Sequence, residues 1–149
     1  MHRGSCNTLI ENNYMKQTHD KYDACFTVHG MTDQKVENLR VVSNTLECTQ
    51  NGAQTVGYCA PAQIMSHTIA FVFIGNRVFG GKRAFYITDD SDNAKIIGND
   101  FNSNDTSDYG VWIKSLNTIV IGNRLDNEAS SPVNQIANNP ILIGNIGIS

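Results

Sequence analysis

Residues 87–92 read ITDDSD and place Asp89, Asp90 and Asp92 at the end of a short apolar run. Two neighbouring carboxyl groups can divide general acid and general base duties in glycoside hydrolysis, their separation deciding retention or inversion. Asp89 and Asp90 are therefore the candidate catalytic pair. The stretch FNSNDTSD at 101–108 adds Asp105 and Asp108. Carboxylates gathered in this way can equally bind calcium, which takes several oxygen ligands, or simply sit solvated where a strand breaks. No cofactor is expected, calcium being the one ion that these residues could hold. Two aromatic residues, Tyr86 and Trp112, lie in the similar runs RAFYITDD and YGVWIKS. On adjacent strands they would stand one strand spacing apart, a platform on which sugar rings can stack unless a loop or another chain covers it.

Other chemistries find no support in the sequence. Cys6, Cys25, Cys48 and Cys59 form no CxxC pair, so zinc is not expected, and buried free thiols are favoured over disulfides. The chain has no GxSxG nucleophile motif, no phosphate-binding glycine loop and no dinucleotide fingerprint.

With 149 residues the chain suits one domain with a real core. Charged residues make up 17%, the formal net charge is -3 and like charges do not cluster, so a nucleic-acid partner is not expected. No apolar run approaches the length of a membrane-spanning helix, and a membrane partner is not expected either. Residues 1–6, MHRGSC, read as a leader or vector-derived remnant, and 7–149 as the domain, a piece of a longer chain being one option. Asparagine is the commonest polar residue, which favours repeated turns over helices.

Those turns recur. LIENNY at 9, VVSNTL at 41, FIGNRV at 73, IIGNDF at 96, VIGNRL at 120 and LIGNIG at 142 align on Asn12, Asn44, Asn76, Asn99, Asn123 and Asn145. The intervals are 32, 32, 23, 24 and 22 residues. Short β-branched runs closed by Gly-Asn read as strands ending at turns, and a fixed period of this size fits a solenoid in which each repeat is one coil. Stacked coils bring equivalent side chains about 4.8 Å apart, so the six asparagines form a structural ladder of amides that satisfy one another. A second set of strands lies between them at ACFTVHG, TVGYCA, RAFYITDD, YGVWIKS and VNQIAN. Alternation turns Phe26, Val28, Phe85, Ile87, Val111 and Ile113 inward, and Thr27, His29, Tyr86, Thr88, Trp112 and Lys114 outward.

The repeats IxGNxF and VIGNRL, with their stacked asparagines, resemble those of right-handed parallel β-helix proteins of the pectate-lyase-like superfamily. The resemblance implies an all-β, right-handed single-stranded parallel β-helix of about six coils, roughly 24 Å tall. The asparagine-rich, helix-poor character is most similar to bacteriophage tailspike and appendage proteins, which implies a homotrimer on a virion or outside the cell, binding and cleaving a surface polysaccharide as a hydrolase or lyase. Polygalacturonases share the fold and carry NTD, DD, GHG and RIK motifs. TDD at 88–90, WIK at 112–114 and VHG at 28–30 are similar to these, although the histidine motif comes first here and Trp112 replaces the arginine. By that resemblance Asp89 and Asp90 are acid and base, while His29 and Lys114 contact acidic sugar groups. The alternatives are a non-catalytic glycan-binding or structural trimeric module, presenting Tyr86 and Trp112, and an epimerase or periplasmic carbohydrate-binding repeat protein.

Overall fold

In each repeat the apolar run before the asparagine is a three-residue strand, and these strands lie side by side. The structure, a computed structural model, describes residues 7–17, 24–48, 61–81, 84–88, 90–102, 109–125, 131–135 and 141–146. The first sheet runs Leu9–Glu11, Arg40–Val42, Val72–Ile74, Lys95–Ile97, Ile119–Ile121, Ile141–Ile143. The second runs Tyr14–Gln17, Thr45–Cys48, Arg77–Phe79, Asp100–Asn102, Arg124–Leu125, and the third Phe26–His29, Ala62–Met65, Phe85–Ile87, Tyr109–Ile113, Ser131–Gln135. Val36–Glu37 pairs with Thr68–Ile69, and single bridges continue that line through Asp92 to Leu116. Every pairing between these strands is parallel, and the described residues contain no helix. The chain visits the three sheets in the same order on each circuit, an all-β arrangement of stacked parallel sheets compatible with a parallel β-helix.

The register decides which of two consecutive apolar residues faces inward. Ile10, Val41, Phe73, Ile96, Val120 and Leu142 share one row of the first sheet, and its four central members are completely buried. Their neighbours Val42, Ile74, Ile97 and Ile121 point outward and are half-buried. Leu46, Val78 and Phe101 fill the core from the second sheet, and Ile64, Phe85, Ile87, Val111 and Ile113 from the third. Four phenylalanines knit the sheets together: Phe73 lies 6.2 Å from Phe101 in a stacked pair, 5.1 Å from Phe85, and 5.8 Å from Phe71. Each buried phenylalanine contributes on the order of 2–3 kcal/mol.

Two kinds of left-handed corner redirect the backbone. At the first, the residue before the ladder asparagine takes positive φ: Asn12 57°, Ser43 54°, Gly75 63°, Gly98 62°, Gly122 61° and Gly144 60°. The asparagine therefore does not make the turn itself; glycine does so without steric cost, and asparagine or serine at a modest one. The second corner precedes the first five first-sheet strands, at Asn7, Asn38, Ala70, Asn93 and Asn117, with φ of 52–61°. A strand expected at TVGYCA, 55–60, lies outside the described residues, and Ala62–Met65 takes the third-sheet place in that circuit. The leader reading of 1–6 also falls outside them.

Candidate functional site

The ladder runs through Asn13, Asn44, Asn76, Asn99, Asn123 and Asn145. Asn76 Oδ1 accepts from both the backbone N–H and Nδ2 of Asn44, at 2.9 and 3.1 Å. The same pair of bonds links each member to the next. Each Nδ2 also donates to strand carbonyls; that of Asn76 reaches Val41 O at 2.9 Å and Ile74 O at 3.1 Å. Asn44, Asn76, Asn99 and Asn123 are 0–2% exposed, so these amides are buried and fully satisfied. The first repeat is corrected by one residue. Asn12 pairs with the corner position of Ser43 and is exposed, because Glu11, not Ile10, falls opposite Val42.

The outer face of the third sheet holds the remaining candidates. Tyr86 and Trp112 are register partners whose ring centroids lie 5.3 Å apart, edge to face. Tyr86 is 4% exposed and presents no open ring face, which removes half of the expected two-ring platform. Trp112 is half-buried, and the ammonium of Lys114 stands 4.8 Å from its ring centroid, a cation–π contact. His29 is exposed. It pairs with Met65, and the register continues through Thr88 to Lys114, so His29 and Lys114 are three strand spacings apart, roughly 14 Å. They cannot grip one carboxylate, but they can reach separated acidic groups of an extended ligand.

Asp90 sits where these strands end. Its Oδ1 accepts from Thr88 Oγ1 at 2.7 Å, and its Oδ2 lies 3.9 Å from His67 Nε2. Burial disfavours its charge, but hydrogen bonds from Thr88, Ser66 and its own backbone, with His67 nearby, outweigh this and hold the carboxyl below its ordinary range. A carboxylate held ionised can act as a base or bind a cation; it is poorly suited to be the general acid. Asp89, its expected partner, lies outside the described residues, as do Asp105 and Asp108. Asp92 is half-buried, and no three histidine, cysteine or acidic side chains converge as a metal site among the described residues.

Thr32, Ser66 and His67 were not singled out from sequence. Thr32 Oγ1 lies 3.2 Å from His67 Nε2, the same nitrogen that faces Asp90. A nucleophile–histidine–carboxylate relay needs the two partners on opposite ring nitrogens, so this cluster is not one. Its one sequence signal was a histidine between small polar residues, SHT, just after a strand. Gly30 of VHG has a structural role: a Cβ there would lie 2.5 Å from His67 O. No protein-family model, curated protein or solved structure matches the chain.

Proposed function

We propose that the chain is a right-handed parallel β-helix of about six coils, of the pectate-lyase-like kind, whose third sheet binds an extended acidic polysaccharide outside the cell or at a virion surface. The observation that supports this reading is Trp112 with Lys114 over its ring, on a flat parallel face that also carries His29. An aromatic ring suits the apolar face of a sugar, and an adjacent ammonium suits its carboxylate. The resemblance to tailspike proteins adds a homotrimer as the expected assembly.

Binding without turnover is the better supported form. Cleavage by a hydrolase or lyase is the second reading, favoured by the ionised Asp90 at the ends of the same strands, with Asp89 as its partner. Trp112 is the single tryptophan, so its fluorescence reports on this face alone. Titration with oligogalacturonate or capsular fragments is expected to change that fluorescence, with affinity reduced about tenfold in Lys114→Gln, the loss of one charge-assisted contact. Unchanged fluorescence with every acidic glycan tried would overturn the binding reading. Chain-length analysis of the incubated fragments separates the two forms: shortening that disappears in Asp89→Asn/Asp90→Asn establishes turnover.

A further inference from the structure

The row that carries both cations of the third sheet also has an anion fixed beside it. His29, Met65, Thr88 and Lys114 follow one another along the stack, the register running one residue past Ile87 through the bonds Thr88 N–H to Ile64 O and Lys114 N–H to Ile87 O. Thr88 Oγ1 donates to Asp90 Oδ1 at 2.7 Å. Asp90 is thereby tied to the stretch of the row between His29 and Lys114. Its side chain keeps 40% of its surface exposed, so the carboxylate is offered to solvent as well as to its partners.

A glycan lying along this row meets opposite demands at neighbouring places. At Lys114, beside the Trp112 ring, a carboxylate is favoured. One strand spacing away, about 4.8 Å, a second carboxylate would face Asp90, and like charges set side by side in a partly desolvated site are disfavoured. No lysine or arginine forms an ion pair with Asp90 among the described residues; the nearest basic nitrogen, His67 Nε2, stands 3.9 Å from Oδ2. An ionised carboxylate only accepts hydrogen bonds, so a sugar hydroxyl or amide N–H fits that place where a carboxylate does not. Successive rings of an extended glycan are spaced much like the strands, so two adjacent acidic rings cannot both be accommodated.

We propose that Asp90 sets the specificity of this face, selecting a polysaccharide in which acidic sugars are separated by uncharged ones and rejecting an unbroken run of uronic acids. This rests on the acidic-polysaccharide reading of the third sheet and names the class of acidic polysaccharide that fits. Asp90 acts through its charge and its acceptor oxygens, and no bond is made or broken. His29, exposed and roughly 14 Å from Lys114, is placed to meet a further acidic sugar beyond the uncharged stretch.

Oligogalacturonates of one length but graded methyl esterification provide the test, because esterification cancels carboxylates while keeping the backbone. Trp112 fluorescence reads the affinity at about 0.15 M salt, where charges far from the face are largely screened. For the unmodified chain, affinity is expected to peak at intermediate esterification, about tenfold above the fully charged oligomer. It falls again in the fully esterified one, which offers Lys114 no carboxylate. Asp90→Asn should move the peak to the unesterified oligomer. Asp100→Asn, which removes the same charge from the outer face of the second sheet, should leave the peak in place. The proposal is overturned if affinity for the unmodified chain rises steadily with ligand charge, if the peak survives in Asp90→Asn, or if Asp100→Asn moves it equally. The profile of the unmodified chain decides by itself should Asp90→Asn fail to fold. Fluorescence unchanged by every oligomer removes the glycan reading itself and this inference with it, a result distinct from a steadily rising profile.

Discussion

Asn44 and Asn76, 32 residues apart in sequence, are joined through one oxygen that accepts two hydrogen bonds. The bond pair recurs along the stack whether successive members stand 32 or 22 residues apart, so the corner is held by side-chain amides and not by any fixed loop length.

Removing one amide should therefore be costly. Asn99→Ala removes the side-chain acceptor of the buried Asn76 N–H, one of three acceptors of Asn76 Nδ2, and the side-chain donor to Phe73 O. The expected loss is on the order of 3 kcal/mol, a fall in melting temperature of roughly 6–12 °C for a chain of this size. Asn99→Asp, which cannot donate to Phe73 O, should be at least as damaging near neutral pH. A melting temperature unchanged in both would show that the ladder contributes nothing.

Gly98 occupies a left-handed corner with nothing within 4 Å of a built Cβ. Backbone strain is then the whole effect, and Asn12 holds the same corner in the first repeat. Gly98→Asn should cost well under 1 kcal/mol, and Gly98→Val about 2 kcal/mol or more. Chemical denaturation of the pair measures that difference; equal stabilities would contradict it.

Phe73 touches three other phenylalanines and belongs to the innermost row. Phe73→Ala is expected to cost about 3–5 kcal/mol, and Phe73→Leu about half as much. The outward-facing Ile74→Ala, half-buried, should cost distinctly less. Reversed order in the measured stabilities would mean that the phase of this strand is opposite.

Stability should fall on acidification for identifiable reasons. Glu47 is held below its ordinary range by hydrogen bonds from Lys16 and Tyr14, and Asp90 by those from Thr88 and Ser66 against the opposing effect of burial. Both carboxyls are easier to ionise in the folded state. Their stabilisation is thus complete above the unfolded-state values, about pH 4, and is lost as pH falls through the lower folded-state values. The urea midpoint should drop less between about pH 5 and pH 3 in Glu47→Gln/Asp90→Asn than in the unmodified chain. Identical profiles would remove both groups from the account.

The sulfurs of Cys25 and Cys48 lie 3.6 Å apart, too far for a disulfide bond between them, and Cys25 Sγ donates to Glu47 O at 2.9 Å. The hydrogen bond with Cys48, opposed by burial, lowers the Cys25 thiol below its usual range. Oxidised glutathione should therefore join the two sulfurs: both thiols give up a proton and an electron, and the reagent leaves as two glutathione thiols. Closing this loop would add about 3 kcal/mol. Alkylation followed by peptide mass mapping identifies the bridge; a Cys25–Cys48 pair that stays fully alkylatable after oxidation would argue against the proximity.

The asparagine spacing made the stacked parallel architecture legible because an identical residue in an identical corner is what stacking requires. The one-residue slip at Asn12 came from two adjacent asparagines and from Glu11, whose place in the row is held by Val42, Ile74 and Ile97 in later circuits. The second sheet was not foreseen: its strands begin directly after the ladder asparagine and, as TLEC, RVF and DFN, are too short to display an alternating period. The second corner was legible in principle, since Asn38, Asn93 and Asn117 each stand two residues before a first-sheet strand. At the candidate site, alternation put Tyr86 on the outer face, but burial there depends on what packs over it, and period-two patterning says nothing about that. The Thr32–His67–Asp90 cluster joins residues from three circuits and leaves no local pattern.

Register between circuits has a genetic corollary. Asn99 and Asn123 stand in equivalent backbone and side-chain settings 24 residues apart, so excising that whole interval rejoins like with like and yields a shorter protein of the same design. Removing half of it would weld a corner to the middle of a strand. The number of circuits therefore changes in whole units while the loops within a circuit vary in length, and gene duplication or deletion of one circuit is a route by which such a chain lengthens or shrinks without being redesigned.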